Sequence, residues 1–439
     1  MSTAKVRFRE KVSYMFSAMG YEFEAMIIAS YFTLFCTDVM QLDPAKFGAI
    51  YLAVKVFDAI TDILITNIAD RTKTRWGKYR PWLLAGIPLS VCLMVCFLYP
   101  PFLTTEAAKL AWVFVLLSIT VAVFETAYMC PFLVLNAVMS DDPDDRIQFA
   151  TAKTLGENIS DFTVSLFAMS IILSFGDYKD PKGWSVMGII YAAIMLVCVL
   201  VGFSGIRERV TVTNTDKDGN NLKLLKKLSY LKGNKPMFKL LIIQAAYQIC
   251  WFGTMTMFSY YSIYVLGHED WIAILSSLGI VAQIVTSIVT PKLAKRIEKR
   301  TLIFIGAGLL ILSGISLFFT YNFATALIYQ IIRGCGIGII YICNYAMWPE
   351  VVDYTAKKTG IMTPGIIYSV ESFFTKISIA LGTFMVTLAL DLGGYASEAY
   401  EQSAVTISWI KYTMIGLFIV FALIIIIPNQ RLKELMKQK

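Results

Sequence analysis

Apolar stretches of about twenty residues recur along the whole of this 439-residue chain, and they restrict its possible folds more than any other feature. Each stretch is long enough to cross the roughly 30 Å hydrocarbon core of a bilayer as a helix. Charged residues make up only 16% of the chain, against about 25% in an average soluble domain. A soluble protein of this length needs a more highly charged surface, and the sequence therefore predicts an integral membrane protein.

Twelve apolar stretches can be distinguished, separated by polar segments. We expect an all-α integral membrane protein of twelve transmembrane helices, at 12–36, 47–68, 82–102, 110–136, 150–174, 184–205, 238–266, 271–290, 301–320, 323–348, 365–390 and 405–428.

The longest polar interval divides these stretches into two sets of six. The sequence predicts an N-terminal six-helix bundle at 1–205, a cytoplasmic middle loop at 206–236, and a C-terminal bundle with a short cytoplasmic tail at 237–439. Each half carries a basic loop after its second helix, at 70–80 and 292–300. Duplicated halves are typical of secondary transporters, whose ligand site lies between the halves near the bilayer midplane.

The 39 Lys and Arg residues are distributed unequally between the two sides of the expected membrane. The N-terminus, the loops that follow spans two, four, six, eight and ten, and the C-terminus together hold 29 of them. The loops on the opposite side hold four. Basic loops stay in the cytoplasm during insertion. We therefore expect a multi-pass protein of the cell (inner) membrane with both termini cytoplasmic, and the net charge of +8 does not indicate a nucleic-acid partner.

Ionisable residues inside apolar spans are expensive in hydrocarbon, and they normally line an aqueous path or pair with one another. In span two, Asp58 and Asp62 are four residues apart and share a helix face, with Lys55 and Thr61 beside them. This set predicts a site for a small cation or a proton-accepting pair. The alternative is a structural ion cluster with Lys55, but one lysine cannot neutralise two aspartates.

Other spans also carry polar or ionisable side chains. In span one, Glu22 and Glu24 lie on opposite helix faces, so we expect only one of them to face a shared cavity. Further candidates are Glu125, Thr126 and Tyr128 in span four, Lys153, Glu157 and Asp161 in span five, Arg333 and Tyr341 in span ten, and Glu371 and Lys376 in span eleven. The glycines near Arg333 predict close helix packing and not a phosphate loop.

The segment from Asp70 to Pro81 is a basic loop between spans two and three. Arginines in such a loop can bridge to carboxylates at neighbouring helix ends and hold one access state closed. The sequence predicts a gating loop, with Asp70, Arg71, Arg75, Lys78 and Arg80 as its charged members. The alternative is a loop that only determines orientation.

Two motifs resemble the glycoside–pentoside–hexuronide:cation symporters, the melibiose-permease-like branch of the major facilitator superfamily. The first is Asp58-Ala-Ile-Thr-Asp62, followed by Asp70-Arg-Thr-Lys-Thr-Arg-Trp-Gly-Lys-Tyr-Arg-Pro-Trp82. The second is Val352-Asp-Tyr354 with Ile367-Tyr-Ser-Val-Glu-Ser-Phe-Phe-Thr-Lys376 downstream. With Gly20-Tyr-Glu22-Phe in span one, the resemblance covers nearly the whole chain.

The resemblance implies site residues position by position. It implies cation-binding by Asp58, Thr61, Asp62 and Thr126, with Na⁺ at Asp58 and Asp62 as one possibility. The expected substrate-binding residues are Glu22, Glu125, Tyr128, Lys153, Tyr341, Glu371 and Lys376. One departure is that the family's span-four aspartate falls on Met129, and Glu125, on the same helix face, could replace it.

The expected function is symport of a sugar or glycoside into the cell, coupled to Na⁺, H⁺ or Li⁺, by alternating access. The alternative is a carrier of lysophospholipids or other amphiphiles with the same fold. We expect no enzyme activity, because no nucleophile–base motif or metal-ligand spacing is present. We also expect no cofactor besides the coupling ion, no nucleic-acid partner, and a monomer in the lipid bilayer.

Overall fold

The computed structural model describes residues 6–140, 142–209, 234–320, 322–359, 364–397, 399 and 401–429. Helices dominate these residues, and no β-strand occurs within them. The chain divides into two compact units, 1–213 with 396–400 and 214–395 with 401–439. Residues 210–233, most of the expected middle loop, lie outside the described ranges.

The first unit contains seven regular α-helices in its described residues. They are α1 (Phe8–Ile27), α2 (Pro44–Arg71), α3 (Gly86–Cys96), α4 (Glu106–Leu117), α5 (Thr126–Met139), α6 (Pro143–Leu173) and α7 (Pro181–Gly205). Two π-helical turns, Ile28–Phe32 and Phe35–Val39, extend α1, and a 3₁₀ segment, Arg80–Ala85, leads into α3. A π-helical stretch, Ser118–Glu125, joins α4 to α5.

The second unit contains seven further helices where it is described. They are α8 (Lys235–Tyr260), α9 (Trp271–Leu293), α10 (Lys299–Ser316), α11 (Phe323–Tyr345), α12 (Trp348–Thr359), α13 (Pro364–Leu392) and α14 (Ala404–Asn429). A π-helical turn, Tyr261–Leu266, extends α8, and a 3₁₀ turn, Leu317–Phe319, follows α10.

Capping residues determine where several helices begin. The Asp43 side chain accepts a hydrogen bond of 2.9 Å from the N–H of Lys46, and Pro44 occupies the first turn of α2. The Asp180–Pro181 pair repeats this arrangement at α7. An acceptor side chain before a proline satisfies one unpaired N–H and presets the backbone for the first turn.

Helices occupy all twelve predicted spans, and eight helical segments of the described chain are long and apolar enough to cross a membrane. The helix at span 82–102 is too short to meet the same test. The other three, at 12–36, 47–68 and 150–174, are long helices that carry several charged residues. Most of the first unit's candidate site residues lie on these three helices.

The packing order within the first unit explains where its charged side chains can meet. Helix α1 packs against both α6 and α7, and α2 packs against α5 and the π-helical stretch before it. Opposite faces of α1 are therefore both covered by other helices.

In the second unit, glycines bring α9 and α11 together. A Cβ added at Gly334 would lie 2.2 Å from the carbonyl oxygen of Gly279, and one at Gly338 would lie 2.8 Å from that of Gln283. Any larger side chain would push the helices apart. The prediction that this glycine run serves helix packing is confirmed.

Candidate cation and substrate sites

Asp58 on α2 is the centre of a buried ionic group, called here the Asp58 cluster, formed by Glu24, Lys55, Asp58, Glu125 and Thr126. The Asp58 side chain is 0% exposed, and its Oδ1 accepts a hydrogen bond of 2.7 Å from Thr126 Oγ1. Lys55 Nζ lies 3.8 Å from Asp58 Oδ2 and 3.8 Å from Glu125 Oε2. The lysine thus links carboxylates from two helices.

Two consecutive residues, Glu125 and Thr126, both reach α2 where the π-helical stretch meets α5. Successive residues of a regular α-helix point in directions about 100° apart. Here Glu125 ends the π-helical stretch and Thr126 begins α5. Their side chains contact Lys55 and Asp58, respectively. A π-bulge inside a longer helix frequently occurs at a functional site.

Thr61 and Asp62, the other members of the predicted cation set, lie next to this cluster but contact different partners. Thr61 Oγ1 donates to the backbone carbonyl of Asp58 at 2.8 Å. Asp62 Oδ1 accepts a weak hydrogen bond from the Cys130 thiol at 3.5 Å. The structure therefore brings Asp58 and Thr126 into direct contact, with Thr61 and Asp62 one helical turn away.

The donor atoms of this region are carboxylate and hydroxyl oxygens. Hard cations such as Na⁺ prefer oxygen ligands, and Asp58, Asp62 and Thr126 supply them. Among the residues described, no three His, Cys, Asp or Glu side chains converge in a way that could hold a metal ion.

Glu24 belongs to the Asp58 cluster, although sequence reasoning assigned it no role. Its side chain is 0% exposed, and neither carboxyl oxygen accepts a hydrogen bond from any described residue. Its electrostatic neighbours are Glu125, Lys55 and Asp58. Burying a carboxylate without hydrogen-bond donors costs free energy. A cation close to Glu24 would offset that cost. The rarity of Glu in an apolar span was the only signal in the sequence.

Glu22 lies on the opposite face of α1, in a second group called the Glu22 cluster, with Tyr21, Lys153, Glu157 and Asp161. Lys153 forms an ion pair with Glu157, which also accepts a hydrogen bond from the Tyr21 hydroxyl. Glu22 and Asp161 on α6 are electrostatic neighbours. The two glutamates of span one therefore lie on opposite faces of α1, and each faces a different group of charged residues.

The structure places Glu125 with Lys55, and not in the Glu22 cluster. The suggestion that Glu125 replaces the span-four aspartate at Met129 in sugar binding therefore receives no contact that supports it. Glu125 directly precedes α5 and Met129 lies in the first turn of α5, so the two share a helix face, on which Glu125 contacts Lys55. Glu125 instead adds a third carboxylate beside Asp58 and Asp62 of the predicted cation site.

Among the described residues, Tyr128 forms no hydrogen bond with the charged side chains of either cluster. Its side chain is fully buried, and its hydroxyl donates a hydrogen bond of 3.0 Å to the backbone carbonyl of Ser17. Its ring packs against Tyr21 and Phe132. The predicted substrate contact is therefore, in this structure, a packing residue between α1 and α5.

In the second unit, Glu371 on α13 is the acceptor of a polar group called the Glu371 network, with Gln244, Asn344 and Thr375. Glu371 Oε1 accepts hydrogen bonds of 2.8 Å from Gln244 Nε2 and 3.1 Å from Thr375 Oγ1. The Asn344 amide donates to Gln244 Oε1. Lys376, which directly follows Thr375 on α13, is buried, with 8% of its surface exposed.

Aromatic rings lie beside this network. The Tyr341 ring is edge-on to Trp251, at 6.1 Å between centroids, and to Tyr247, at 6.4 Å. Trp251 and Tyr341 are only half-buried. Aromatic faces with adjacent hydrogen-bonding groups form a surface of the kind that binds small polar ligands. By contrast, the rings of Tyr260 and Tyr261, at the end of α8, are fully buried.

The basic loop after α2 contacts a carboxylate, but not through its arginine side chains. The backbone N–H groups of Lys78, Tyr79 and Arg80 donate to the Glu208 carboxylate at 2.8, 2.6 and 2.6 Å. Gly77 makes this approach possible, because it has a φ of +117° and an added Cβ would lie 2.6 Å from that carboxylate.

The predicted gating residues therefore contact other groups than we expected. Arg80 donates to the Phe203 carbonyl at 2.9 and 3.1 Å. Arg75 stacks on Trp76, and Arg71 is exposed at the end of α2. In this conformation the loop binds Glu208 through its backbone N–H groups, and gating by its arginine side chains stays a prediction. The Asp70 side chain lies outside the described part of the structure.

Comparison with known proteins extends over almost the whole chain. A family model described as MFS/sugar transport protein matches residues 13–433. The isoprimeverose transporter of Lactiplantibacillus pentosus is 28% identical over 94% of this chain and 86% of its own length. The glucuronide carrier protein homolog of Escherichia coli K12 is 26% identical over 88% and 82%, respectively.

A solved structure supports the fold independently of close sequence similarity. A bacterial homolog of the human lysosomal transporter Spinster aligns with a TM-score of 0.69 at 14% identity, covering 98% of each chain. At this identity the likeness shows the fold alone, which is that of the major facilitator superfamily. The match over residues 13–433 establishes the family. The chain therefore belongs to the MFS/sugar transport protein family, and it is a multi-pass membrane transporter and not an enzyme.

Proposed function

We propose that this protein is a symporter that takes up a sugar or glycoside together with a monovalent cation. The observation that carries the proposal is the Asp58 cluster, in which an ammonium group lies 3.8 Å from two carboxylates inside an apolar span. Charges at such depth are costly and usually mark an ion pathway. We place the protein in the cell membrane with both termini in the cytoplasm, as its basic loops predict.

The coupling step follows from competition for Asp58. Lys55 balances Asp58 and Glu125 when no other cation is near, and Thr126 orients Asp58 through a hydrogen bond. A cation that binds Asp58 competes with the Lys55 ammonium and releases it toward the remaining carboxylates, among them Glu24. Cation binding thus changes the ion pairs that join α2 to the π-helical stretch.

Two groups of residues are suited to a sugar. The Glu22 cluster supplies carboxylates and Lys153, and the Glu371 network supplies an acceptor, amides and the neighbouring Tyr341 ring. Hydroxyl groups of a sugar both donate and accept, so mixed sets of this kind match them. The names of the relatives include isoprimeverose and a glucuronide. Lys153 or Lys376 could balance the charge of an acidic sugar.

Affinities for the cation and for the sugar must be linked if transport is coupled. If the bound cation raises the affinity for the sugar by some factor, the bound sugar raises the affinity for the cation by the same factor. The two clusters on α1 offer a short physical connection, because Glu22 and Glu24 are two residues apart on one helix. A movement of α1 that follows cation binding would therefore act on the Glu22 cluster.

Uptake into proteoliposomes tests the proposal. Isoprimeverose, xylose, a glucuronide and a lysophospholipid are offered separately under an imposed Na⁺, Li⁺ or pH gradient. We expect accumulation of at least one sugar only when a cation gradient is present, and no accumulation by Asp58→Asn. Asp391→Asn, which removes an exposed carboxylate at the end of α13, is the matched control and should behave as wild type.

Two results would contradict the proposal. Accumulation of sugar without any cation gradient would show that uptake is not coupled to these ions. Transport of the lysophospholipid in place of every sugar would favour an amphiphile carrier of the same fold.

A further inference from the structure

A pocket of about 340 Å³ lies at the ends of α1 and α7, away from the clusters described above. All of its lining residues belong to the first unit. They are Arg7, Arg9, Glu10, Ser204, Gly205, Arg207, Glu208 and Arg209. Four arginines and two glutamates thus surround one cavity.

Both glutamates are already bound by the protein. The Glu208 carboxylate accepts the three backbone N–H groups of the loop after α2. Glu10 Oε1 accepts from Arg209 Nη2 at 2.6 Å, and its Oε2 accepts from the backbone N–H of Arg7 at 3.0 Å. The Glu10 charge is thus paired with Arg209, whereas Glu208, bound only by neutral backbone groups, keeps its negative charge beside the other arginines.

Three exposed arginines outnumber Glu208, the one pocket glutamate that is not paired with an arginine side chain. In the part of the chain that the structure describes, no acidic side chain forms an ion pair with Arg7, Arg9 or Arg207. Arg207 also lies within electrostatic range of Arg80, a further positive charge. The pocket is consequently a concentrated positive site that is open to solvent.

We propose that this pocket binds a phosphate group, and that the headgroup of an anionic phospholipid supplies it. Guanidinium groups bind phosphate through paired hydrogen bonds. Clusters of basic residues next to a membrane helix recognise anionic headgroups.

Two neighbouring features favour a lipid over a free phosphate ion. The pocket begins at Ser204 and Gly205, where the apolar helix α7 ends, so it lies at the expected level of the headgroups. Phe8, between Arg7 and Arg9, is 81% exposed. An exposed apolar ring beside arginines is more favourable at the interface of a bilayer than in water.

Lipid binding here would act on the basic loop. Glu208 lines the pocket and at the same time holds residues 78–80 by their backbone N–H groups. A bound phosphate attracts Arg207, the residue before Glu208, and so fixes the position of that carboxylate. The lipid therefore stabilises the contact between the loop and the end of α7.

Native mass spectrometry of the full chain, released from nanodiscs of phosphatidylcholine with or without phosphatidylglycerol, tests the proposal. The probe variant is Arg9→Gln/Arg207→Gln, and the control is Lys73→Gln/Lys295→Gln, which removes two exposed charges outside the pocket. Each arginine near an anionic surface contributes roughly fivefold in affinity, so we expect phosphatidylglycerol binding to the probe variant to weaken about 25-fold. The control should bind as wild type does.

A second variant and a soluble competitor complete the test. Arg9→Lys/Arg207→Lys keeps the charge, and we expect it to retain more phosphatidylglycerol than the glutamine variant does. Displacement of the lipid by millimolar inorganic phosphate would overturn the lipid as the source and support phosphate recognition. Equal phosphatidylglycerol binding by wild type, control and Arg9→Gln/Arg207→Gln would overturn the proposal altogether.

Discussion

The two units of this transporter hold their candidate site residues in different chemical forms. In the first unit, Lys55, Asp58 and Glu125 form a buried ionic cluster. In the second, Glu371 is bound by an amide and a hydroxyl, with aromatic rings nearby. Buried charges cost free energy that neutral groups do not. The difference suggests that the first unit handles the cation, whereas the second recognises neutral parts of the substrate.

Within the first unit, the two faces of α1 differ in a related way. Glu24 faces the Asp58 cluster, and its oxygens accept no hydrogen bond from described residues. Glu22 faces α6, where Lys153 and Asp161 are close enough to interact with it. One helix therefore contacts the proposed cation group on one side and a proposed sugar group on the other.

The largest effect is expected when the charge balance of the first unit is broken. Lys55→Met leaves Asp58 and Glu125 without their ammonium partner, and loss of one partner of a buried ion pair costs about 3–5 kcal/mol. Thermal unfolding of the purified protein should show a clear loss of stability. Lys55→Met/Glu125→Gln removes one charge of each sign and should recover part of that loss. Glu371→Gln, the comparison in the second unit, should change stability much less.

Removing the hydrogen bond to Asp58 should have the next largest effect. Thr126→Val deletes the donor to Oδ1, and a hydrogen bond to a charged group contributes about 1.5–3 kcal/mol. We expect cation affinity to fall by roughly tenfold to a hundredfold at that energy, as measured by sodium or lithium titration. Thr126→Ser keeps the hydroxyl and should stay near wild type. An unchanged titration with Thr126→Val would separate Thr126 from the cation site.

Removal of an aromatic ring tests the second unit. Tyr341→Ala deletes a ring beside the Glu371 network, and ring contacts of this kind contribute about 0.5–1.5 kcal/mol. Sugar affinity should weaken by up to about tenfold while cation affinity stays constant. Tyr412→Ala, at an exposed position on α14, is the control. A loss of cation affinity in Tyr341→Ala would break the division between the units.

The smallest effect is expected at Tyr128. Tyr128→Phe removes a hydrogen bond to the Ser17 carbonyl, which is worth about 1 kcal/mol of stability. Sugar affinity should not change, because the hydroxyl lies between packed helices. Equilibrium binding of the transported sugar measures this directly, and a marked loss of affinity would restore Tyr128 to the substrate site.

Much of the fold could be predicted because its signals are local in the sequence. The apolar stretches locate the helices, and Asp43-Pro44 and Asp180-Pro181 mark two helix starts. Helix periodicity predicted that Lys55 lies beside Asp58, and the family motif implied that Thr126 joins them. The Gly334–Gly338 run was correctly interpreted as a packing surface.

The parts that could not be predicted depend on irregular helix geometry and on which helices are neighbours. The π-helical stretch Ser118–Glu125 changes the helical register between α4 and α5, and no residue pattern announces it. The role of Glu24 depends on α1 being covered on both faces. The binding of Glu208 by backbone N–H groups depends on the turn at Gly77, whereas charge patterns predict only side-chain pairs.

The central claim is that Asp58 links the cation to the sugar, and sugar binding to the purified protein tests it most directly. The dissociation constant of the transported sugar is measured with and without the coupling cation, in wild type and in Asp58→Asn. We expect the cation to tighten sugar binding to the wild type by at least fivefold, the lower end of typical coupling. Asp58→Asn should bind the sugar with the cation-free affinity in both conditions. If the cation tightens sugar binding to Asp58→Asn as much as to the wild type, Asp58 is not the coupling residue.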